Sequence, residues 1–186
     1  MFRRTITTLA LLSCVSSVAF GASLAADLQK SWAQQKDLLT RAVDAMPEES
    51  FSFQPTPAQR TFGEQVLHIA GANSFLFRFT GAEAKGFEVD LSKVSTTFGL
   101  EASTKAEILE ALESSFDHGI EALGEFDDDA MLEEVQGPPW VGKVTRAAMV
   151  NFILGHNMDI YGQIVVYLRL QGVTPPASAR SGNANY

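Results

Sequence analysis

Three observations predict an all-α protein built as a four-helix bundle. Four long stretches repeat apolar residues with a helical period, strand signals are confined to a few residues, and proline or glycine marks the breaks between stretches. The last stretch is the clearest. Over residues 145–170, Met149, Phe152, Ile153, Ile160, Ile164 and Tyr167 form an apolar stripe, and Gly172 followed by Pro175-Pro176 stops the helix. His156 falls on that stripe. A histidine facing a bundle core is either a satisfied structural residue or part of a buried site.

The elements follow in chain order. Residues 1–25 open with Arg3-Arg4, continue without charge from Thr5 to Phe20, and end in small residues, the pattern of a secretory signal peptide. Ser23 and Ala25 suit the −3 and −1 positions and place cleavage after Ala25; Ala19-Phe-Gly21 is a second site of the same kind. The domain then spans residues 26–176. Helix 1 is predicted over residues 28–45, with Trp32, Leu38, Leu39, Ala42 and Val43 turned inward and Met46-Pro47 ending it. Phe51 to Pro57 is an extended linker, because residues before proline avoid the helical region. Thr61 with Glu64 three residues on makes a capping box that starts helix 2, which runs to about Thr80. Residues 81–99 form a loop-rich connection. Ser103 or Thr104 caps helix 3, where Ile108, Leu112, Phe116, Ile120 and Leu123 keep the period. Residues 125–139 read as an acidic loop, 141–144 as a short extended piece, and 177–186 as a flexible, disordered tail.

Charge and cysteine content exclude several classes. The chain carries −8, and since residues 1–25 hold two arginines and no acid, the remainder carries −10. An acidic surface repels phosphate backbones, so no nucleic-acid partner is expected. The one cysteine, Cys14, lies in the leader. Its removal leaves no disulfide, no zinc-thiolate site and no thiol nucleophile. The expected location is the periplasm or the medium, with no membrane contact beyond the signal peptide. Leu11-Leu-Ser-Cys14 allows a lipoprotein alternative and Arg3-Arg4 a twin-arginine one.

Two runs carry a resemblance. Phe53-Gln-Pro-Thr-Pro-Ala-Gln-Arg-Thr-Phe-Gly-Glu-Gln-Val-Leu-His68 resembles the helix-2 entry of DinB-like proteins, a family of four-helix bundles. His156-Asn157, Tyr161-Gly162-Gln163 and Tyr167-Leu-Arg-Leu-Gln-Gly-Val-Thr-Pro-Pro176 resemble that family's last helix. The resemblance implies a divalent metal, commonly zinc or nickel, held by three histidines. One is on helix 2, matching His68, and two are on the last helix, matching His156 and position 160. Position 160 is Ile160, which cannot ligate. Asp159, three residues after His156, is the nearest substitute, and a His68, His156, Asp159 set is chemically reasonable. Without metal, His68 could bond Glu64 or a buried backbone group, and His156 could bond Asn73, Asn157 or Gln163. The resemblance also implies a homodimer.

Two functions follow as expectations. One is a family member that has lost its third histidine and binds a small molecule or partner through the bundle. The other is a divalent-metal-dependent hydrolase or thiol S-transferase using His68 and His156. Elsewhere, His118 reads as a surface histidine, Asp127-Asp-Asp129 as a solvated acidic turn, and Trp140 as a pocket rim, an interface or core packing.

Overall fold

The computed structural model describes residues 23–181 and builds them as a mostly helical bundle. Four long helices carry it: α1 (Leu24–Asp44), α2 (Phe62–Phe77), α3 (Lys105–Gly124) and α5 (Arg146–Leu170), with two short helices, α4 (Asp128–Leu132) and α6 (Pro176–Ser181). Within the acidic loop and just after it, β1 (Glu134–Gln136) pairs antiparallel with β2 (Lys143–Thr145), placing Val135 opposite Val144. The reading of 125–139 as a loop therefore needs correction, since it holds a helical turn and a strand. Asp127 caps α4 by accepting the Ala130 N–H at 2.8 Å, so the acidic run is partly helix-starting chemistry. Arg3, Arg4 and Cys14, on which the expectation of a leader rests, and the last five residues lie outside the described residues.

Helix starts obey local chemistry. Thr61 and Thr104 each accept an N–H three residues on, while Glu64 and Glu107 reach back to the cap, giving two complete capping boxes. α1 starts earlier than the sequence suggests: Ser23 is its N-cap, so the Ala25–Ala26 boundary falls within the first turn. The expectation of a flexible tail needs correction only over residues 177–181; residues 182–186 lie outside the described residues. Residues 176–181 are helical because Pro176 presets the first turn and the Ser178 and Ala179 N–H groups bond the Pro175 carbonyl at 2.9 and 3.1 Å.

Trp32 fixes the centre of the bundle. It is fully buried, packs edge-on against Phe77 at 4.9 Å, and meets Phe116 at 4.8 Å. Its indole N–H donates to the Phe116 carbonyl at 2.8 Å. One side chain thus ties α1 to α2 and α3, and burying an aromatic of this size contributes roughly 2–3 kcal/mol. Gly119 makes room for it, since a Cβ there would lie 2.4 Å from the indole. α5 joins through the Gln35 amide, which donates to the Leu154 carbonyl at 3.1 Å.

Arg146, which the sequence did not single out, ties the hairpin to the bundle. Its guanidinium donates to the Thr80 carbonyl at 2.8 Å, to Glu133 at 3.1 Å and to the Ala130 carbonyl, and it lies 4.2 Å over the Phe126 ring. Among the described residues, no helix is long and apolar enough to cross a membrane.

Candidate functional site

The site is built on α2 and α5. Almost every residue of α2 is buried, so a polar group on it must find a partner inside the protein. His68 finds one in the loop between α2 and α3. Its Nδ1 lies 2.8 Å from the Thr96 carbonyl oxygen, which can only accept, so Nδ1 carries the proton and Nε2 keeps its lone pair. Glu64 is unavailable to His68 because it completes the capping box. Of the partners open to His68 in the sequence, the backbone group is the one used.

A strained loop holds Thr96 in place. The Asp90 N–H donates to the Phe98 carbonyl at 2.7 Å, closing the loop on itself. Phe98 has φ 57°, a left-handed conformation that costs a bulky residue energy and persists only where its surroundings enforce it. Its ring lies 5.2 Å from the His68 ring and directly on Gly71, where a Cβ would come within 2.6 Å of the Phe98 Cβ. Glycine at 71, one turn beyond His68, lets the loop seal this face of α2.

His156 reaches the same place from α5. The two imidazole rings are 5.4 Å apart between centroids and tilted by 42°. The Nδ1 of His156 is buried and has no hydrogen-bond partner. Neither Asn73 nor Gln163 supplies one, since Asn73 bonds Ser115 and Gln163 bonds Asp159; the Asn157 side chain lies close enough to favour the protonated ring but completes no hydrogen bond. Burial is the main reason both histidines are pushed below the ordinary imidazole range, His68 to about 4; the Arg60 charge adds to this at both rings, while at His156 the Asn157 side chain and the Asp159 charge oppose it. Both are therefore neutral near pH 7.

Asp159 does not turn to the pair. Its carboxylate is exposed and accepts from the Gln163 amide at 3.1 Å. Gln163 in turn accepts from Gln65, and Gln65 accepts from Arg60 at 3.0 Å. The Tyr167 hydroxyl donates to the Arg60 carbonyl at 2.7 Å and anchors the start of this chain of contacts. Ile160 is buried in the core. Among the described residues, no three His, Cys, Asp or Glu side chains gather as a metal set. Two imidazoles, a committed carboxylate, a buried isoleucine and a nearby guanidinium do not fit a catalytic divalent ion, which needs about three protein ligands.

Residues 31–164 match the family model of the DinB superfamily. The chain belongs to the DinB superfamily. It is also similar to a DinB-like protein from Bacillus cereus, known from a crystal structure, with a TM-score of 0.68 and 20% identity over 80% of this chain and 93% of that one. At that identity the likeness shows the shared bundle. No curated protein matches the chain. Of the three positions that the DinB resemblance implies for a metal, this member brings 68 and 156 together and fills 160 with a core side chain.

The sequence missed three features of the site: Thr96, Phe98 and Arg60. Thr96 acts through its carbonyl, so its residue type carries no signal. Phe98 had one available signal, the following Gly99, which also has positive φ and marks an unusual turn. His118 was misread as a surface residue. It is buried at 8% exposure, edge-on to Phe77 at 5.6 Å, and Nδ1 has no partner. Trp140 stands exposed at the hairpin turn, its ring 6.5 Å from Phe75.

Proposed function

We propose that this DinB superfamily protein is an exported small-molecule-binding bundle, and that its ligand is received by the facing imidazoles of His68 and His156. The observation that carries the reading is the unpartnered Nδ1 of His156, buried beside a neutral, oriented His68. A buried polar atom left unpaired costs about 1–3 kcal/mol, which a ligand hydrogen bond would recover. At His68 the Arg60 charge favours a carboxylate or other electron-rich group over a cation, while the Asp159 charge acts the opposite way at His156. Phe98, its ring 5.2 Å from that of His68, supplies an apolar surface for the rest of such a molecule. No covalent step is needed, and none is assigned.

A second reading is a divalent-metal-dependent hydrolase or thiol S-transferase. One observation favours it: His68 donates Nδ1–H to a backbone carbonyl, the orientation that metal-bound imidazoles commonly adopt. One experiment separates the two. Protein prepared without a histidine tag or chelator is denatured, and the released small molecules and metals are measured by mass spectrometry, with His156→Ala beside it. Near one equivalent of an organic molecule, absent from the variant, supports the ligand reading. Near one equivalent of zinc or nickel, lost in the variant, replaces it with the second. Release of neither, with no zinc or nickel taken up on incubation, overturns both.

A further inference from the structure

The expected leader offers two cleavage positions, a first after Ala25 and a second after Gly21, each with a small residue at −3. The folded protein does not treat them equally. Residues 23–25 are built into the bundle. The Ser23 hydroxyl oxygen accepts the Ala26 N–H at 3.1 Å as the N-cap of α1, and the Ser23 carbonyl accepts the Asp27 N–H at 3.0 Å. The Ser23 hydroxyl donates to the Asp128 carboxylate at 2.8 Å, and the Ala25 N–H donates to the same oxygen at 2.9 Å. Ala25 is buried at 5% exposure. A negative carboxylate at the positive end of a long helix, bonded to its free N–H groups, is a favourable arrangement. It also joins the start of α1 to the start of α4, which are about 100 residues apart in the chain.

We infer that export processing hydrolyses the Gly21–Ala22 peptide bond and leaves a mature chain beginning at Ala22. Water supplies the hydroxyl to the Gly21 carboxylate and the protons to the Ala22 ammonium. Cutting after Ala25 would remove the cap, the hydroxyl donor to Asp128 and a buried side chain together. Cutting after Gly21 keeps all three. The Asp128 carboxyl sits below its usual range because of the Ala25 and Ser23 bonds. The inference depends on export and is independent of the histidine pair.

The test is the intact mass of the full chain, expressed with its own N-terminus in a bacterium with a periplasm and recovered from that compartment. The expected mass is that of residues 22–186. A mass of 26–186, an uncut chain, or a lipid-bearing chain starting at Cys14 would each overturn the inference. Two variants act as a check. Ala25→Leu spoils only the later position and should leave processing unchanged, whereas Gly21→Leu should cause the precursor to accumulate; the reverse pattern overturns it. Chains starting at Ala22 and at Ala26, compared directly, should differ, with the shorter unfolding at lower urea concentration.

Discussion

Acid should weaken this protein through His68, by an amount the structure sets. Burial, helped by the Arg60 charge, holds the imidazole at about 4, and the unfolded chain returns it to 6.5. Between those values the unfolded state binds a proton that the folded state refuses. The stabilising contribution is therefore fully present above pH 6.5 and is lost progressively as pH falls towards 4. For a gap of this size, the loss between about pH 7 and about pH 5 is roughly 2 kcal/mol. His68 is 7% exposed, so solvent screening takes little from that figure. The assay is urea unfolding of the wild type and His68→Asn at both pH values. Asparagine offers an N–H near the Nδ1 position, so the Thr96 contact can persist, but it does not titrate. The double difference removes the direct cost of the substitution and the carboxylates common to both chains. The wild type should lose roughly 2 kcal/mol more than the variant on acidification. A double difference below about 0.5 kcal/mol would mean that His68 protonates freely in the folded protein, and would refute a site sealed by the Phe98 loop.

Three further substitutions test the packing and position 160. Gly119→Ala forces a Cβ to within 2.4 Å of the fully buried Trp32 indole, so the ring must shift and its bond to Phe116 must break. Overpacking and the lost bond should outweigh the gain in helix propensity by about 2 kcal/mol in thermal or urea unfolding. Gly155→Ala, with nothing within 4 Å, should instead stabilise by about 0.5–1 kcal/mol, and equal effects at the two positions would contradict the packing described. Ile160→His places a third imidazole four residues after His156. Zinc affinity measured by calorimetry should rise by more than about tenfold, given that even an outer-shell partner is worth 10- to 100-fold. An unchanged affinity would show that position 160 does not face the pair.

Much of this fold was legible because it depends on local chemistry. The Thr61 and Thr104 capping boxes, the stop at Gly172 and the apolar stripe through Ile153, Ile160 and Ile164 need only near neighbours in sequence. What the sequence hid is non-local. Ser23 caps α1 but also bonds Asp128, and no spacing rule connects residues that far apart. Arg146 reaches Thr80 on the far side of a long loop, and Asp127–Asp129 read as solvated because charge pattern alone does not say which carboxylate meets a helix end. His118 was misplaced for a different reason: it lies beside small residues on a helix flank, and what buries it is the Phe77 ring and the loop at Gly86.

The site shows the same division between local and distant contacts, and it bears on function. His68 and His156 could be paired from the sequence because their family positions match, and the rings do meet. Asp159 was a reasonable third ligand by helix geometry, since i and i+3 share a face. Its failure to join traces to Gln163, which holds the carboxylate one turn along, and beyond that to Gln65 and Arg60. Pulling Asp159 to the pair would cost the Gln163 bond and would leave the buried Gln65 short of its ordered partner, while bringing a dication towards a guanidinium. Holding Asp159 to Gln163 withholds a ligand from the pair, and Ile160 supplies none. At His68 the Arg60 charge suits an electron-rich organic group, whereas at His156 the Asp159 carboxylate acts the other way. Arg60→Gln should separate these effects: it should weaken retention of an acidic ligand and, by removing the opposing charge, strengthen zinc uptake. If zinc uptake stays the same in Arg60→Gln, the guanidinium has no electrostatic influence on the pair.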